Sequence, residues 1–189
     1  MDLQCSWPNS RKDDGVEEPG APRPRLMVLT SEKGWPYSWN TIQDLPKDVF
    51  VNCEVGRAWQ IVRNDLTEWF SPHGRTYFKP KQHLLIGTPG IGKSMAAGSY
   101  LLYQLLHCGV EKLQVVIYVI AEKAFLFDKT IKTVTKYDIN EMSRSVIPSL
   151  WKHGMKGYVI YDVLVKGRNP SFFCSFRMGH DCTDNTKRE

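Results

Sequence analysis

The chain has 189 residues, enough to bury a core, and a content of 42% hydrophobic and 12% aromatic residues is typical of a folded protein. The net charge of +5 permits contact with nucleic acid but does not indicate it, and no apolar run reaches membrane-spanning length. The N-terminal residues do not follow the pattern of a signal peptide. The five cysteines are odd in number and widely spaced, which is typical of a reducing, intracellular compartment rather than of a disulfide framework.

The first third of the chain divides into two predicted segments. Residues 1–25 are polar and contain four prolines, which predicts disorder. Residues 26–82 form a predicted aromatic and helical region, with a strand at 26–30 and an aromatic turn at 35–39 that we expect to plug a core. Asn52 is the expected cap of a helix that runs to about residue 70. Its packing face is predicted to consist of Val55, Trp59, Val62, Leu66 and Trp69.

Residues 83–166 form a predicted partial P-loop nucleotide-binding domain. A short apolar run, Leu84-Leu85-Ile86, is interpreted as a buried strand, and the next eight residues fit the phosphate-loop motif G-x-x-x-x-G-K-[ST]. The loop consists of Gly87, Thr88, Pro89, Gly90, Ile91, Gly92, Lys93 and Ser94. Its glycines let backbone N–H groups surround a polyphosphate, Lys93 reaches the outer phosphates, and Ser94 offers a hydroxyl to Mg²⁺. A helix is predicted to follow and to end near Cys108-Gly109, and a simple glycine turn is the structural alternative.

The remaining elements of this domain predict a sheet. Residues 113–121 are almost all apolar, which is typical of a strand buried on both faces of a parallel sheet. A hairpin is predicted from residues 124–127 and 133–137, and then a helix over 140–154 that Pro148 interrupts. The strand at 157–162 ends in Asp162, the candidate carboxylate for Mg²⁺, whose alternative role is to cap a turn. The expected fold class is α/β, a P-loop NTPase-like parallel sheet with flanking helices.

The sequence supports nucleotide binding better than hydrolysis. Val163 follows Asp162 where many ATPases place a glutamate, and Glu122 is the substitute candidate for the catalytic base. Loss of such a base lowers the rate of hydrolysis by about 10²–10⁴-fold. Arg144 and Arg168 are available, but neither is assigned as an arginine finger. The guanine-specificity motif N-K-x-D is absent, so the expected ligands are ATP and Mg²⁺. A small-metabolite kinase is disfavoured, because the sequence shows neither a site for a phosphate acceptor nor a lid.

Four long stretches resemble the trypanosomatid retrotransposon hot spot proteins: residues 26–40 (LMVLTSEKGWPYSWN), 51–70 (VNCEVGRAWQIVRNDLTEWF), 85–107 (LIGTPGIGKSMAAGSYLLYQLLH) and 157–163 (GYVIYDV). Members of that family are similar to P-loop NTPases, and the resemblance extends to the P-loop residues and to Asp162. It implies a nuclear or perinuclear location and nuclear proteins, RNA or chromatin as partners, with no membrane. Longer members have further sequence on both sides, which implies that this chain is a truncated copy.

The polar tail, residues 167–189, contains no convincing buried strand, so the sheet is expected to be incomplete at the C-terminus. In the family, a segment like F-A-x-S-x-G-W-G-M-I-V-L-T follows the Mg²⁺ strand. Codons compatible with residues 177–184 (RMGHDCTD) read G-W-G-M-I-V-L-T after a shift of one base, which predicts a frameshift near Phe173. The lost strand would leave a sheet edge unpaired and favour instability or aggregation. A metal site is disfavoured because the spacing of the tail's ligands, Cys174, His180 and Cys182, fits no standard pattern.

Three functional readings follow from these expectations. The first is a P-loop domain that binds ATP with Mg²⁺, with hydrolysis left open. The second is a non-enzymatic nuclear protein that associates with chromatin or RNA. The third is a non-functional truncated copy.

Overall fold

The computed structural model describes residues 3–6, 27–40, 47–69, 83–86 and 92–162. Its contacts divide the chain into two compact units, the first formed by Met1–Gly74 with His83–His107 and the second by Arg75–Gln82 with Cys108–Glu189. Within the described ranges, no helix is both long and apolar enough to cross a membrane.

The first unit contains a three-stranded antiparallel sheet in the order β1 (Leu3–Ser6), β2 (Met27–Ser31), β3 (Asp48–Val51). Leu29 of β2 lies opposite Val49 of β3, and both are buried. The strand predicted at 26–30 is therefore confirmed. The disorder predicted for residues 1–25 does not hold at β1. The backbone of β1 is hydrogen-bonded to the edge of β2, and amino-acid composition carries no signal for such pairing. The rest of that segment lies outside the described residues.

Trp35 is the core plug expected from the aromatic turn. Its side chain is fully buried, and its Nε1 donates a hydrogen bond of 3.1 Å to the Lys47 carbonyl. A short 3₁₀ turn, Ser38–Asn40, follows, and the Ser38 hydroxyl donates to the Trp35 carbonyl over 2.8 Å. The tryptophan thus fills the core with its ring and joins the turn to the start of β3 with its indole nitrogen.

Helix α1 runs over Cys53–Trp69, close to its predicted bounds. The Val55 N–H donates to Asn52 Oδ1 over 3.1 Å, which confirms Asn52 as the cap. Trp59, Val62 and Leu66 are buried and Val55 is partly buried, so the predicted packing face is correct at these positions. The side chain of Trp69 lies outside the described residues.

We expect Asn52→Ala to lower the free energy of unfolding by about 1 kcal/mol, because the substitution leaves a helix-terminal N–H without its side-chain acceptor. Urea unfolding followed by circular dichroism measures the change. Asn64→Ala, at an exposed position in the middle of α1, is the matched control. We expect it not to lower the free energy of unfolding, since alanine is a better helix former than asparagine. Equal losses in the two variants would contradict the capping role.

The helix predicted after the phosphate loop is present, but its first turn is unusual. Lys93–Gly98 is π-helical, and α2 continues over Ser99–His107, ending where the sequence predicted. Leu102 and Leu105 are fully buried. Within the first unit, the π-helical turn packs against β3 and α1.

The buried strand predicted at Leu84-Leu85-Ile86 is wrong. These residues are not in a strand, and their side chains are 79%, 50% and 81% exposed. A strand needs neighbours that satisfy its backbone, and no described strand pairs with this run. Three apolar residues predict a tendency to be buried, but they do not specify a partner.

The second unit contains a four-stranded sheet in the order β6 (Thr133–Asp138), β5 (Lys123–Asp128), β4 (Val115–Ile120), β7 (Gly157–Asp162). All six residues of β4 are buried, and both the hairpin and the strand ending in Asp162 are confirmed. The sheet is mixed rather than parallel, because only β4 and β7 are parallel. Just two residues, Ala121 and Glu122, connect β4 to β5, and a parallel pair requires a much longer crossover.

A helical connection leads from β6 to β7. It consists of α3 (Ile139–Glu141), a π-helical turn (Met142–Val146) and α4 (Ile147–Lys152). The sequence predicted an interruption at Pro148, but the irregular turn precedes that residue and the helix continues through it. In a regular helix, a proline clashes with the carbonyl four residues earlier. For Pro148 that carbonyl belongs to Arg144, which lies in the wider π-helical turn, and this is why the helix can continue through the proline.

Lys129, in the second unit, has a shifted pKa. Burial lowers the pKa of its amine below the ordinary 10.5, and Cys108 and Glu111 partly oppose this effect. The amine donates a hydrogen bond to the Cys108 carbonyl. The folded state binds this proton less tightly than the unfolded state does, so the charged amine lowers the free energy of unfolding. This loss of stability is fully present at low pH and disappears as the pH rises from the lowered pKa to 10.5.

We therefore expect the wild type to gain stability relative to Lys129→Met as the pH rises through that window. Urea unfolding of both proteins at a series of pH values measures the difference in the free energy of unfolding. A difference that stays constant or falls with pH would show that the charge of Lys129 carries no such cost.

Candidate functional site

The described part of the phosphate loop begins at Gly92. This residue has φ 83° and ψ 21°, a left-handed conformation that side chains with a Cβ rarely adopt. Its carbonyl accepts hydrogen bonds from the Ala96 N–H at 2.7 Å and the Ala97 N–H at 3.3 Å, which start the helix. Gly92 is therefore the turn that ends the loop, while residues 87–91 of the predicted loop lie outside the described residues.

Lys93 and Ser94 are the first two residues of the helical segment, and both are partly buried. The segment continues without a break to His107, so its dipole places a partial positive charge at this end. A helix N-terminus favours binding of a phosphate group, and both predicted side chains lie in the first turn of this helical segment. The strand that the motif requires before the loop is not present at residues 83–86.

His83 forms a contact that the sequence did not predict. Its Nε2 lies against Oδ2 of Asp65 on α1, and the two side chains are 34% and 18% exposed. The residue that leads into the apolar run before the phosphate loop is thereby joined to α1. The acid and the histidine are 18 residues apart, a separation that gives no periodic signal in the sequence.

Asp162 ends β7 in the second unit and is partly buried. It lies opposite Ile120, the last residue of the parallel strand β4. The carboxyl ends of these two strands therefore meet at the same edge of the sheet, where α/β sheets bind ligands. The Tyr118 hydroxyl donates a hydrogen bond of 3.5 Å to Asp162 Oδ2.

Glu122 lies at the same edge, in the exposed turn after β4. Its backbone carbonyl accepts a hydrogen bond of 3.0 Å from the Ile139 N–H, so its main chain supports the start of α3. Arg144 is exposed on the second π-helical turn. Arg168 and the tail residues Cys174, His180 and Cys182 lie outside the described residues.

Each unit offers candidate groups for a phosphate or for Mg²⁺. In the first, Lys93 carries an ammonium and Ser94 a hydroxyl; in the second, Asp162 carries a carboxylate, and oxygen donors are the ones Mg²⁺ prefers. No cluster of three or more His, Cys, Asp or Glu side chains exists in the parts of the chain that the structure describes. Lys93 and Ser94 belong to the first unit and Asp162 to the second.

Two family models match the chain. The model described as "Retrotransposon hot spot protein, P-loop domain" matches residues 84–175, and the model described as "Retrotransposon hot spot proteins N-terminal" matches residues 6–81. Searches of curated proteins and of solved structures gave no match. The two family matches meet just before the phosphate loop and together span most of the sequence. The chain therefore belongs to the retrotransposon hot spot protein family.

Proposed function

We propose that this chain binds ATP as its magnesium complex through the loop that ends at Ser94. The observation that carries the proposal is the left-handed Gly92, which starts a helix with Lys93 and Ser94 in its first turn. A glycine-rich loop that turns into a helix N-terminus is a general solution for binding polyphosphate. The P-loop domain match over residues 84–175 supports the same interpretation.

Each residue has a distinct role in this proposal. Lys93 neutralises charge on the outer phosphates, and the helix N-terminus adds backbone donors. Ser94 supplies a hydroxyl oxygen to Mg²⁺, which when bound would neutralise further phosphate charge. Asp162 is the carboxylate that the sequence pattern suggests for Mg²⁺. The glycines of residues 87–92 allow the main chain to approach the phosphates. The preference for ATP over GTP rests on the absence of the N-K-x-D motif.

Hydrolysis is not part of this proposal. The residue after Asp162 is Val163, and Glu122 is the only candidate base that the sequence suggested. Glu122 lies at the same sheet edge as Asp162, in the exposed turn after β4. We propose Glu122 only as the residue to replace first if hydrolysis is found.

Titration of the full chain with a fluorescent ATP analogue tests the proposal. Saturable binding in Mg²⁺, weakened in EDTA and competed by ATP more strongly than by GTP, is the expected result. Absence of saturable binding under both conditions would overturn the proposal. Stronger competition by GTP would overturn only the base preference.

A non-functional copy is the second candidate, and one observation favours it. The P-loop domain match ends at residue 175, close to the frameshift that we propose near Phe173. The DNA sequence across this region decides the matter. If no one-base shift restores an apolar strand downstream of residue 173, the frameshift proposal fails.

Location and partners are proposed from family membership alone. We propose a nuclear or perinuclear location and association with nuclear proteins, RNA or chromatin. A fluorescent fusion of the full chain tests the location. Binding of RNA at increasing salt concentrations identifies phosphate contacts by a steep loss of affinity.

A further inference from the structure

Four lysines lie at one end of the sheet in the second unit. Lys156 immediately precedes β7, Lys129 immediately follows β5, and Lys132 immediately precedes β6. Lys152 is the last residue of α4, and a left-handed turn at Gly154, with φ 67°, leads from it towards Lys156. We call these four residues the lysine cluster.

Hydrogen bonds of Gln114, the residue before β4, hold two members of the lysine cluster beside one another. The Gln114 carbonyl accepts a hydrogen bond of 2.9 Å from the Lys129 N–H. On its other side, the Gln114 N–H donates to the Lys156 carbonyl over 2.8 Å, and its Oε1 accepts from the Lys156 N–H over 2.9 Å. Since neighbouring strands lie about 4.8 Å apart, the cluster extends roughly 15 Å across the four strands.

The lysine cluster gives this end of the sheet a net positive charge. Lys129 is half-buried, and the other three lysines are exposed. The Asp128 carboxylate accepts two backbone hydrogen bonds, of 2.8 and 3.3 Å, within the turn of the hairpin. Glu111, which interacts with Lys129, is followed by Lys112, so the turn before β4 adds no net charge.

Among the described residues, the opposite end of the same sheet is acidic. Glu122 lies in the turn there, Asp138 and Asp162 end their strands, and Lys123 is paired with Asp138. Interspersed charges would avoid the repulsion that this separation of signs creates. Lys132 has φ 55°, a left-handed conformation that glycine or asparagine adopts more readily. The turn therefore favours another residue, and what the lysine adds is its charge.

An exposed tryptophan lies next to the lysine cluster. Trp151 precedes Lys152 in the last turn of α4, and its side chain is 44% exposed. Lysines contact backbone phosphates as point charges and do not read the base sequence. An exposed aromatic ring stacks on a base that has no stacking partner of its own, as in a single strand. The combination of lysines and a tryptophan therefore fits a single strand better than a duplex.

We propose that the lysine cluster and Trp151 form a binding surface for single-stranded nucleic acid. The ammonium groups contact the phosphates, and the indole stacks on a base. This surface lies within the second unit and does not involve the phosphate loop. The inference rests on the association with RNA proposed above, to which it gives a defined surface, and it is independent of ATP binding.

The test is fluorescence anisotropy of a labelled oligouridylate with the full chain at a series of salt concentrations. The test variant combines Lys132→Gln, Lys152→Gln and Lys156→Gln. Each phosphate contact with a single strand adds about 0.7 to the slope of log affinity against log salt, so the variant is expected to lose about 2 from this slope. Between about 50 and 200 mM salt, the affinity of the wild type is therefore expected to fall about 20-fold more than that of the variant.

The matched control combines Lys33→Gln, Lys47→Gln and Arg63→Gln, which removes the same charge from exposed positions of the first unit. Its salt dependence is expected to equal that of the wild type. Equal changes in the two triple variants would overturn the surface, while binding by the wild type would leave the proposed association with RNA standing. If the wild type does not bind the oligonucleotide, the surface and the association both fall, and the proposal of ATP binding is unaffected.

Trp151→Ala tests the preference for single strands. Stacking of a base on an aromatic ring contributes enough for a loss of affinity of about 5- to 150-fold, and the salt slope is expected to stay the same. Trp151→Phe, which keeps a ring, is expected to retain most of the affinity. Competition by duplex RNA or by inorganic polyphosphate as strong as that by the single strand would overturn the assignment to single-stranded nucleic acid.

A second measurement needs no variant and so does not depend on the folding of one. The lysines of the wild type are acetylated with and without the oligouridylate, and the modified residues are identified by mass spectrometry. We expect the oligonucleotide to protect Lys132, Lys152 and Lys156 and to leave Lys33 and Lys47 unchanged. Equal protection of both groups, or protection of neither, would contradict the proposed surface.

Discussion

Replacing Lys93 by alanine is expected to weaken binding of the magnesium–ATP complex by about 10- to 150-fold. Hydrogen bonds to charged groups contribute about 1.5–3 kcal/mol, and the ammonium of Lys93 is the charged donor that the phosphate-loop motif assigns to the outer phosphates. Alanine is a good helix former, so the helical segment that starts at this residue is retained. Titration with the fluorescent ATP analogue in Mg²⁺ measures the loss.

Lys112→Ala is the matched control, because Lys112 is exposed and lies outside the helices and strands. Its affinity for the nucleotide is expected to equal that of the wild type. Circular dichroism verifies that both variants keep their secondary structure. Equal affinities of the wild type and Lys93→Ala would show that the nucleotide does not use this lysine, and the proposed function would then have to be abandoned.

Replacing Trp35 by alanine is expected to lower the free energy of unfolding by about 3–5 kcal/mol. The ring is fully buried, and its removal leaves a cavity and the Lys47 carbonyl without the indole donor. Folded domains are stable by only about 5–15 kcal/mol, so this single change removes a large share. Urea unfolding followed by circular dichroism measures it, with the shift in the midpoint as the readout.

Trp151→Ala serves as the control for the same change of residue at an exposed position. Trp151 lies on α4 and is 44% exposed, so its replacement creates no closed cavity. We expect Trp151→Ala to lower the free energy of unfolding much less than Trp35→Ala does. If the two variants lose similar stability, Trp35 does not act as a core residue.

Features that depend on neighbours in the sequence were predictable. Asn52 caps α1 because the helical start needs an acceptor for its unpaired N–H groups, and the side chain three residues before Val55 can reach one. The hairpin of β5 and β6 is likewise determined by a short polar connection, in which the Asp128 carboxylate accepts a hydrogen bond of 2.8 Å from the Thr130 N–H. Local geometry is sufficient in both cases.

Features that depend on distant partners were not predictable. The apolar pattern of β4 specified burial on both faces, but it did not specify that one neighbour is antiparallel and the other parallel. Leu84–Ile86 have the composition of a strand without a described strand beside them. Tyr118 and Asp162 are 44 residues apart, and only the register of β4 with β7 brings them together.

The conformation of Gly92 restricts which residues this position can carry. A Cβ at residue 92 would lie 3.5 Å from the Ala96 Cβ, an ordinary contact, so crowding does not forbid a side chain. The positive φ of 83° is the obstacle, and it is most severe for β-branched residues. Asparagine and aspartate tolerate such angles best, whereas valine would force the backbone out of the turn. Gene copies that carry valine or isoleucine here are therefore expected to lose the turn that places Lys93 at the start of the helical segment.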